Sequence, residues 1–249
     1  MDLNQSKKRL ERGTIVNKPI YIALDFNDWQ ETKHFLDVHN FKNEAVKVGM
    51  ELFYREGPDV VKRLRDRGHE IFLDIKLHDI PTTIYKAMKN IAKLDVALTN
   101  VHGLGGGEMI RAAKEGLIDG SNGGKAPDLL AVTLLTSMHE ETLQSELKIS
   151  HSIEDTVVHL AKLSQINGAD GVVCSAHEVR ALKQICGEEF LAVTPGIRLL
   201  SHGSDDQKRV ATPKMAKEFG ADALVIGRSI TLVDDPKQAY KLAKEEWEA

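Results

Sequence analysis

Cysteine is nearly absent from this 249-residue chain, which has only Cys174, inside an apolar run, and Cys186, at an expected helix end. Two thiols so placed give neither a disulfide framework nor metal-ligand spacing, and they fit a reduced, cytoplasmic setting. An excess of charge of one sign is lacking too, since 33 Lys and Arg are interspersed with 37 Asp and Glu for a net charge of -4. No field able to recruit a nucleic acid polymer or an anionic membrane is expected, so any anionic ligand must be held by local groups. Long apolar runs are missing as well. Residues 1–18 are polar and charged, without the apolar stretch of a secretory leader or membrane span, and read as a loosely packed tail before one domain over residues 19–249. No internal repeat is visible.

What the chain does have is 42% hydrophobic content, enough for one sizeable core. Short apolar runs rich in β-branched residues recur at 20–25, 45–49, 71–76, 96–101, 129–134, 171–174, 191–194 and 223–226. Between them, helical spacing of apolar residues marks 32–41, 59–67, 84–94, 109–117, 153–166, 178–185, 213–219 and 236–247. Strands alternating with helices predict parallel βα units, and eight of them close into a (β/α)8 TIM barrel of the α/β class more naturally than into an open sheet. Two polar stretches, Gly120–Pro127 and Leu199–Arg209, are long enough to be functional loops.

Side chains alternate across a strand, so residues two apart share a face. In the first run Ile22 and Leu24 oppose Ala23 and Asp25; in the second Val46, Val48 and Met50 oppose Ala45, Lys47 and Gly49; in the third Ile71, Leu73 and Ile75 oppose Phe72, Asp74 and Lys76. The more apolar face should meet the helices. That puts Asp25, Lys47, Asp74 and Lys76 inside the barrel near its C-terminal mouth, where active sites of this fold sit. Charges drawn into a confined place are costly unless paired, and two acids with two bases can pair. Asp25 or Lys47 alone reads equally well as an inert strand-end charge. The cluster Asp74, Lys76 and Asp79, spaced D-x-K-x-x-D in an otherwise apolar strand, serves no packing purpose and is the leading site.

The segment Phe72–Thr83, FLDIKLHDIPTT, resembles the signature of the orotidine 5'-monophosphate decarboxylases. Matches continue in order through IALD at 22–25, VKVGMELF at 46–53, VTLLTSM at 132–138, VTPGIR at 193–198, Gln207 and VIGRSIT at 225–231. The resemblance implies a charged tetrad of Lys47, Asp74, Lys76 and Asp79, with Lys76 the proton donor. It implies that Asp25 holds the ribose hydroxyls, that Thr136 and Ser137 lie near the pyrimidine, and that Pro195 and Arg198 end a strand beside the nucleotide. Gln207, Gly227 and Arg228 would grip the phosphate, with the 199–209 loop as a lid. The equivalents of Asp79, Ile80 and Thr83 reach the neighbouring subunit's site, which implies a homodimer with shared active sites. The small-molecule partner would be orotidine 5'-monophosphate, with no metal and no organic cofactor.

Three other signals are weaker. Gly103–Glu108, GLGGGE, looks like a dinucleotide fingerprint but follows the fourth strand without a matching downstream acid, and reads as a tight turn into the next helix. His78, between Lys76 and Asp79, reads as solvent- or interface-facing, because the aspartates already have lysine partners. Magnesium-dependent sugar-phosphate decarboxylases and synthases share D-x-K-x-x-D, with Glu51 as a conceivable ligand here, but Ile80–Thr83 resembles the nucleotide decarboxylases. A non-catalytic nucleotide-binding barrel would have no need of Lys76.

Overall fold

The computed structural model describes residues 18–199 and 211–249. Among them eight strands, β1 (Ile20–Ala23), β2 (Val46–Gly49), β3 (Ile71–Leu77), β4 (Leu98–His102), β5 (Asp128–Val132), β6 (Gly171–Val173), β7 (Leu191–Thr194) and β8 (Ala223–Ile226), form a closed barrel in chain order. Every neighbouring pair is parallel, and β1 closes on β8 through Ile20↔Leu224 and Ile22↔Ile226. The fold is the (β/α)8 barrel that the alternating pattern predicts.

The helices are α1 (Trp29–Val38), α2 (Met50–Glu56), α3 (Pro58–Asp66), α4 (Pro81–Ile91), α5 (Gly106–Gly120), α6 (Ile153–Ile166), α7 (Val179–Cys186), α8 (Pro213–Glu218), α9 (Arg228–Thr231) and α10 (Pro236–Glu248). Their starts are chemically marked. Asp28, Ser152, Thr212 and Asp235 accept backbone N–H bonds as N-caps, and Pro58, Pro81, Pro213 and Pro236 open helices where no N–H partner is needed. The Asp28 cap starts α1 at Trp29, three residues before the span that helical spacing marks from residue 32. Helices α2 and α9 are too short for periodicity to reveal. Packing reaches back to Lys18, whose carbonyl accepts from Trp247 Nε1 at 2.8 Å and whose ammonium donates to the Ala221 carbonyl at 2.9 Å.

Alternation along the strands sorts the apolar residues into two cores. Ile20, Ile22, Leu24, Val46, Val48, Ile71, Leu73 and Ile75 pack outward against the helices, while Tyr21, Ala23, Phe72, Leu98, Leu130, Val132, Val173, Val193, Ala223 and Val225 fill the barrel interior. The strand facing read from the sequence is therefore correct for β1, β2 and β3. At the lower end of the interior the Tyr21 hydroxyl donates to Glu70 Oε1 at 2.6 Å, and burial pushes its pKa well above the ordinary tyrosine value. Gly120–Pro127 joins a helix to a strand, so it lies at the end of the barrel opposite the mouth. The long segment that does border the mouth runs from β5 to α6 and contains a single π-turn at Thr142–Glu146.

Candidate active site

Three adjacent strands deliver their charges to one place. Lys47 from β2 donates to Asp25 Oδ1, just past β1, at 2.7 Å and lies 3.6 Å from Asp74 Oδ2 of β3; Lys76 Nζ donates to Asp74 Oδ1 at 2.7 Å. The result is an alternating row, Asp25–Lys47–Asp74–Lys76. Side-chain exposure runs 57% for Asp25, 9% for Lys47, 12% for Asp74 and 27% for Lys76, so the row enters the barrel at its middle and meets solvent at both ends. Burial by itself would push the Asp74 carboxyl up, but the ammonium groups of Lys47 and Lys76 and the hydrogen bonds from Lys76 and Asn100 together hold it below the usual carboxylate range. Gly49, paired with Asp74 across the β2–β3 ladder, leaves the space this row occupies: a Cβ there would stand 3.0 Å from Asp25 Oδ1 and from Lys47 Nζ.

Lys76 occupies a special backbone position. Between Leu73↔Thr99 and Leu77↔Val101 the β3–β4 register shifts, four steps along β3 matching two along β4, and within this bulge Lys76 has φ +46°. For a residue with a Cβ such a conformation costs about 1–3 kcal/mol, and it persists only where the surroundings enforce it. Asn100 of β4 supplies part of that enforcement: its Oδ1 accepts from the Lys76 backbone N–H at 2.7 Å, and its Nδ2 donates to Asp74 Oδ1 at 2.7 Å. Sequence patterning does not single out Asn100. A signal is nonetheless present in the chain, an amide on the inward face of a strand whose inward neighbour is Leu98.

Asp25, Lys47, Asp74, Lys76, Thr136, Ser137, Pro195, Arg198, Gly227 and Arg228 all line one cavity of about 770 Å³ at the C-terminal mouth. Thr136 and Ser137 follow β5, Pro195 and Arg198 follow β7, and Gly227 and Arg228 follow β8 and open α9. Inner-core side chains Phe72, Val132, Val173 and Val225 form its lower wall. Asp79, Ile80 and Thr83 do not line this cavity; Asp79 and Ile80 are exposed between β3 and α4, where Asp79 Oδ1 accepts from the Ile80 N–H at 2.6 Å, and Thr83 is exposed in the first turn of α4. Gln207 and most of the 199–209 loop lie outside the described residues. The ends of that segment are joined by Arg198 N–H donating to the Ala211 carbonyl at 2.9 Å.

Comparison with known proteins gives this cavity a context. The sequence profile of the orotidine 5'-phosphate decarboxylase / HUMPS family matches residues 18–243. The chain belongs to that family. The orotidine 5'-phosphate decarboxylase of Bacillus mycoides is 50% identical over 236 residues, covering 94% of this chain and 98% of the relative, and that of Bacillus cytotoxicus is 49% identical over 234 residues. Among solved structures, orotidine 5'-phosphate decarboxylase from Lactobacillus acidophilus superposes with a TM-score of 0.84 at 46% identity, covering 94% of this chain and all of that one.

Within this family frame the remaining sequence signals find their places. The glycines of GLGGGE make a turn of 3-10 helix over Gly103–Gly105 and then open α5, with Gly106 at φ +81°. His78 is exposed and its ring stacks on His102, centroids 5.6 Å apart. Burial, the His78 ring and Lys76 all lower the His102 pKa. Glu51 is exposed on α2 and takes no part in lining the cavity. Among the described residues no group of three or more His, Cys, Asp or Glu side chains is placed to hold a metal ion, and no helix is long and apolar enough to cross a membrane.

Proposed function

We propose that this chain converts orotidine 5'-monophosphate into uridine 5'-monophosphate and carbon dioxide, a step of pyrimidine biosynthesis, in the cytoplasm and without metal or organic cofactor. The enzyme class rests on family membership and on relatives of matching length that are half identical and carry this name. The observation that carries the finer reading is the Lys47–Asp74–Lys76 row in the cavity wall. The Asp74 carboxylate of this row lies between two ammonium groups, so a divalent cation placed there would face two like charges.

In the reaction the bond between C6 and its carboxylate breaks, carbon dioxide leaves, and the electron pair stays on C6 in the plane of the ring, orthogonal to the π system. Delocalisation cannot absorb it, so fixed charge aimed at C6 must stabilise it. The Lys76 ammonium supplies that charge and then its proton, and the resulting amine recovers a proton from solvent. On this reading Asp74 lies close to the departing carboxylate. Two unit charges about 4 Å apart repel by about 4 kcal/mol at an effective dielectric near 20, a repulsion that fades as neutral carbon dioxide forms. Asp25 takes the ribose hydroxyls, Thr136 and Ser137 the pyrimidine, with Pro195 and Arg198 beside it. Gln207, Gly227 and Arg228 take the phosphate, whose binding stabilises a closed, water-poor site.

Two copies of the chain complete two sites in this reading, each receiving Asp79, Ile80 and Thr83 from its neighbour. Support comes from apolar side chains left in solvent on the same side of the mouth, Ile80 at 66% exposure and Tyr54 at 70%. The deciding assay is to incubate pure protein with orotidine 5'-monophosphate and excess chelator, following loss of substrate absorbance. Turnover that survives chelation is the expected result. Turnover lost to chelator and restored by magnesium would favour the sugar-phosphate type of mechanism, and no turnover at all would indicate a binding barrel.

A further inference from the structure

Asn100 touches Asp74 and the Lys76 backbone, the last two members of the row, and it does so from a fully buried position on β4. Its carboxamide places its acceptor on the Lys76 backbone N–H and a donor on Asp74 Oδ1, each at 2.7 Å. The same Asp74 oxygen receives Lys76 Nζ at 2.7 Å. One rigid planar group thus ties the left-handed backbone of Lys76, the carboxylate that its own ammonium contacts, and the β4 strand into a single unit. Packing does not ask for an amide here. Leucine has similar volume and is what the chain uses at Leu98, the neighbouring inward position.

We propose that Asn100 is a positioning residue for the decarboxylation: it fixes the Lys76 ammonium and the Asp74 carboxylate in one relation to each other, so that proton and charge arrive at C6 together. This rests on the functional reading above. Without the acceptor, the Lys76 N–H, shifted out of the regular β3–β4 register, loses the group that holds φ positive. Without the donor, Asp74 Oδ1 keeps only the Lys76 ammonium as a partner, and the carboxylate is tied to a neighbouring strand solely by Lys47, 3.6 Å from its other oxygen. The charged groups facing Asp74 are then Lys47 from β2 and Lys76 from β3; Asp25 is linked to it through Lys47, and His102 on β4 is a titratable neighbour of Lys76, whose charge helps lower the His102 pKa.

The test compares wild type with Asn100→Ala and with Asn100→Asp, which keeps the volume and an acceptor but sets a second carboxylate beside Asp74. Circular dichroism and thermal unfolding establish folding, and calorimetry with uridine 5'-monophosphate reads binding. Expected for Asn100→Ala are a kcat about 100-fold lower, the cost of a catalytic group displaced by about 1 Å, with nucleotide affinity within about threefold of wild type. The acid limb of its kcat profile should move to higher pH as Asp74 loses a donor, and further still in Asn100→Asp. A purely structural role would lower stability and leave that limb in place. A folded Asn100→Ala protein with kcat within about threefold of wild type and an unmoved limb overturns the proposal. Should Asn100→Ala not fold, near-normal kcat in Asn100→Asp overturns it equally. A wild-type protein without turnover would sink the functional reading, and this inference with it, before any variant is compared.

Discussion

Single side chains divide the labour between chemistry and binding. Replacing Lys76 with Ala removes the proposed proton donor but leaves the residues proposed to hold the phosphate intact, so kcat should fall below detection while uridine 5'-monophosphate still binds in a calorimeter. Arg228→Ala should do the reverse, raising KM for phosphorylated ligands more than it lowers kcat. Near-normal turnover in Lys76→Ala would rule out this lysine as the proton donor. Asp74 also links the site to stability. Its folded pKa lies below its unfolded one, so the stability it contributes is fully present above the unfolded value of about 3.9 and is lost as pH falls through the folded value. Thermal unfolding followed from about pH 6 down to about pH 3 should therefore show a steeper decline in wild type than in Asp74→Asn. Equal slopes would mean that the carboxylate is not held by its lysines.

Elements obey different constraints from residues. Helix α5 lies against α4 through Gly116 and Gly120, one turn apart: a Cβ on Gly116 would meet the Tyr85 carbonyl at 2.3 Å, and one on Gly120 the Lys89 carbonyl at 2.3 Å. The atoms in the way are backbone, which cannot swing aside. Gly116→Ala should cost about 1–3 kcal/mol by overpacking, with kcat per folded molecule unchanged, as read by denaturant unfolding beside a steady-state assay. A variant as stable as wild type would mean that α4 and α5 are free to separate. Glycines at its two ends, Gly106, Gly107 and Gly120, explain why helical spacing marks only 109–117. Glycine lowers helix propensity, so the ends of α5 look like loop in the sequence. The D-x-K-x-x-D motif also divides at the level of elements: Asp74 and Lys76 sit in β3, whereas Pro81 starts α4 and leaves Asp79 and Ile80 in the exposed turn between them.

At the scale of the whole molecule the question is whether the barrel works alone. Lys76→Ala and Asp79→Ala proteins should each be nearly inactive, yet mixing them under conditions of subunit exchange should restore activity. With shared sites, one site of a mixed dimer would combine an intact Lys76 with the other chain's intact Asp79, and its twin would lack both. Random exchange of equal amounts makes half the dimers mixed, so about a quarter of all sites should recover, as two-fold symmetry requires. Demonstrated exchange without recovery would show that each site draws both residues from one chain, leaving the decarboxylase reading in place.

Much of this is legible in the residues themselves. Eight apolar runs separated by helical spacing specify a barrel, because period-2 and period-3.6 patterning follow directly from strand and helix geometry. The same alternation correctly turns Lys47, Asp74 and Lys76 inward, since one face of each strand is too apolar to meet anything but helices. What alternation cannot supply is the bulge at Lys76, its left-handed backbone, or the amide of Asn100 that holds it. These depend on how β3 and β4 pair around an irregularity that brings the Lys76 N–H to the Asn100 side chain, 24 residues away in sequence, and that pairing is a property of the closed barrel. Thr136, Arg198 and Arg228 likewise lie in three separate segments that only barrel closure gathers around one cavity. Local patterning determined the elements and the facing of their charges, whereas the distances that bring those charges into one row beside one cavity were set when β1 met β8 and the ring closed.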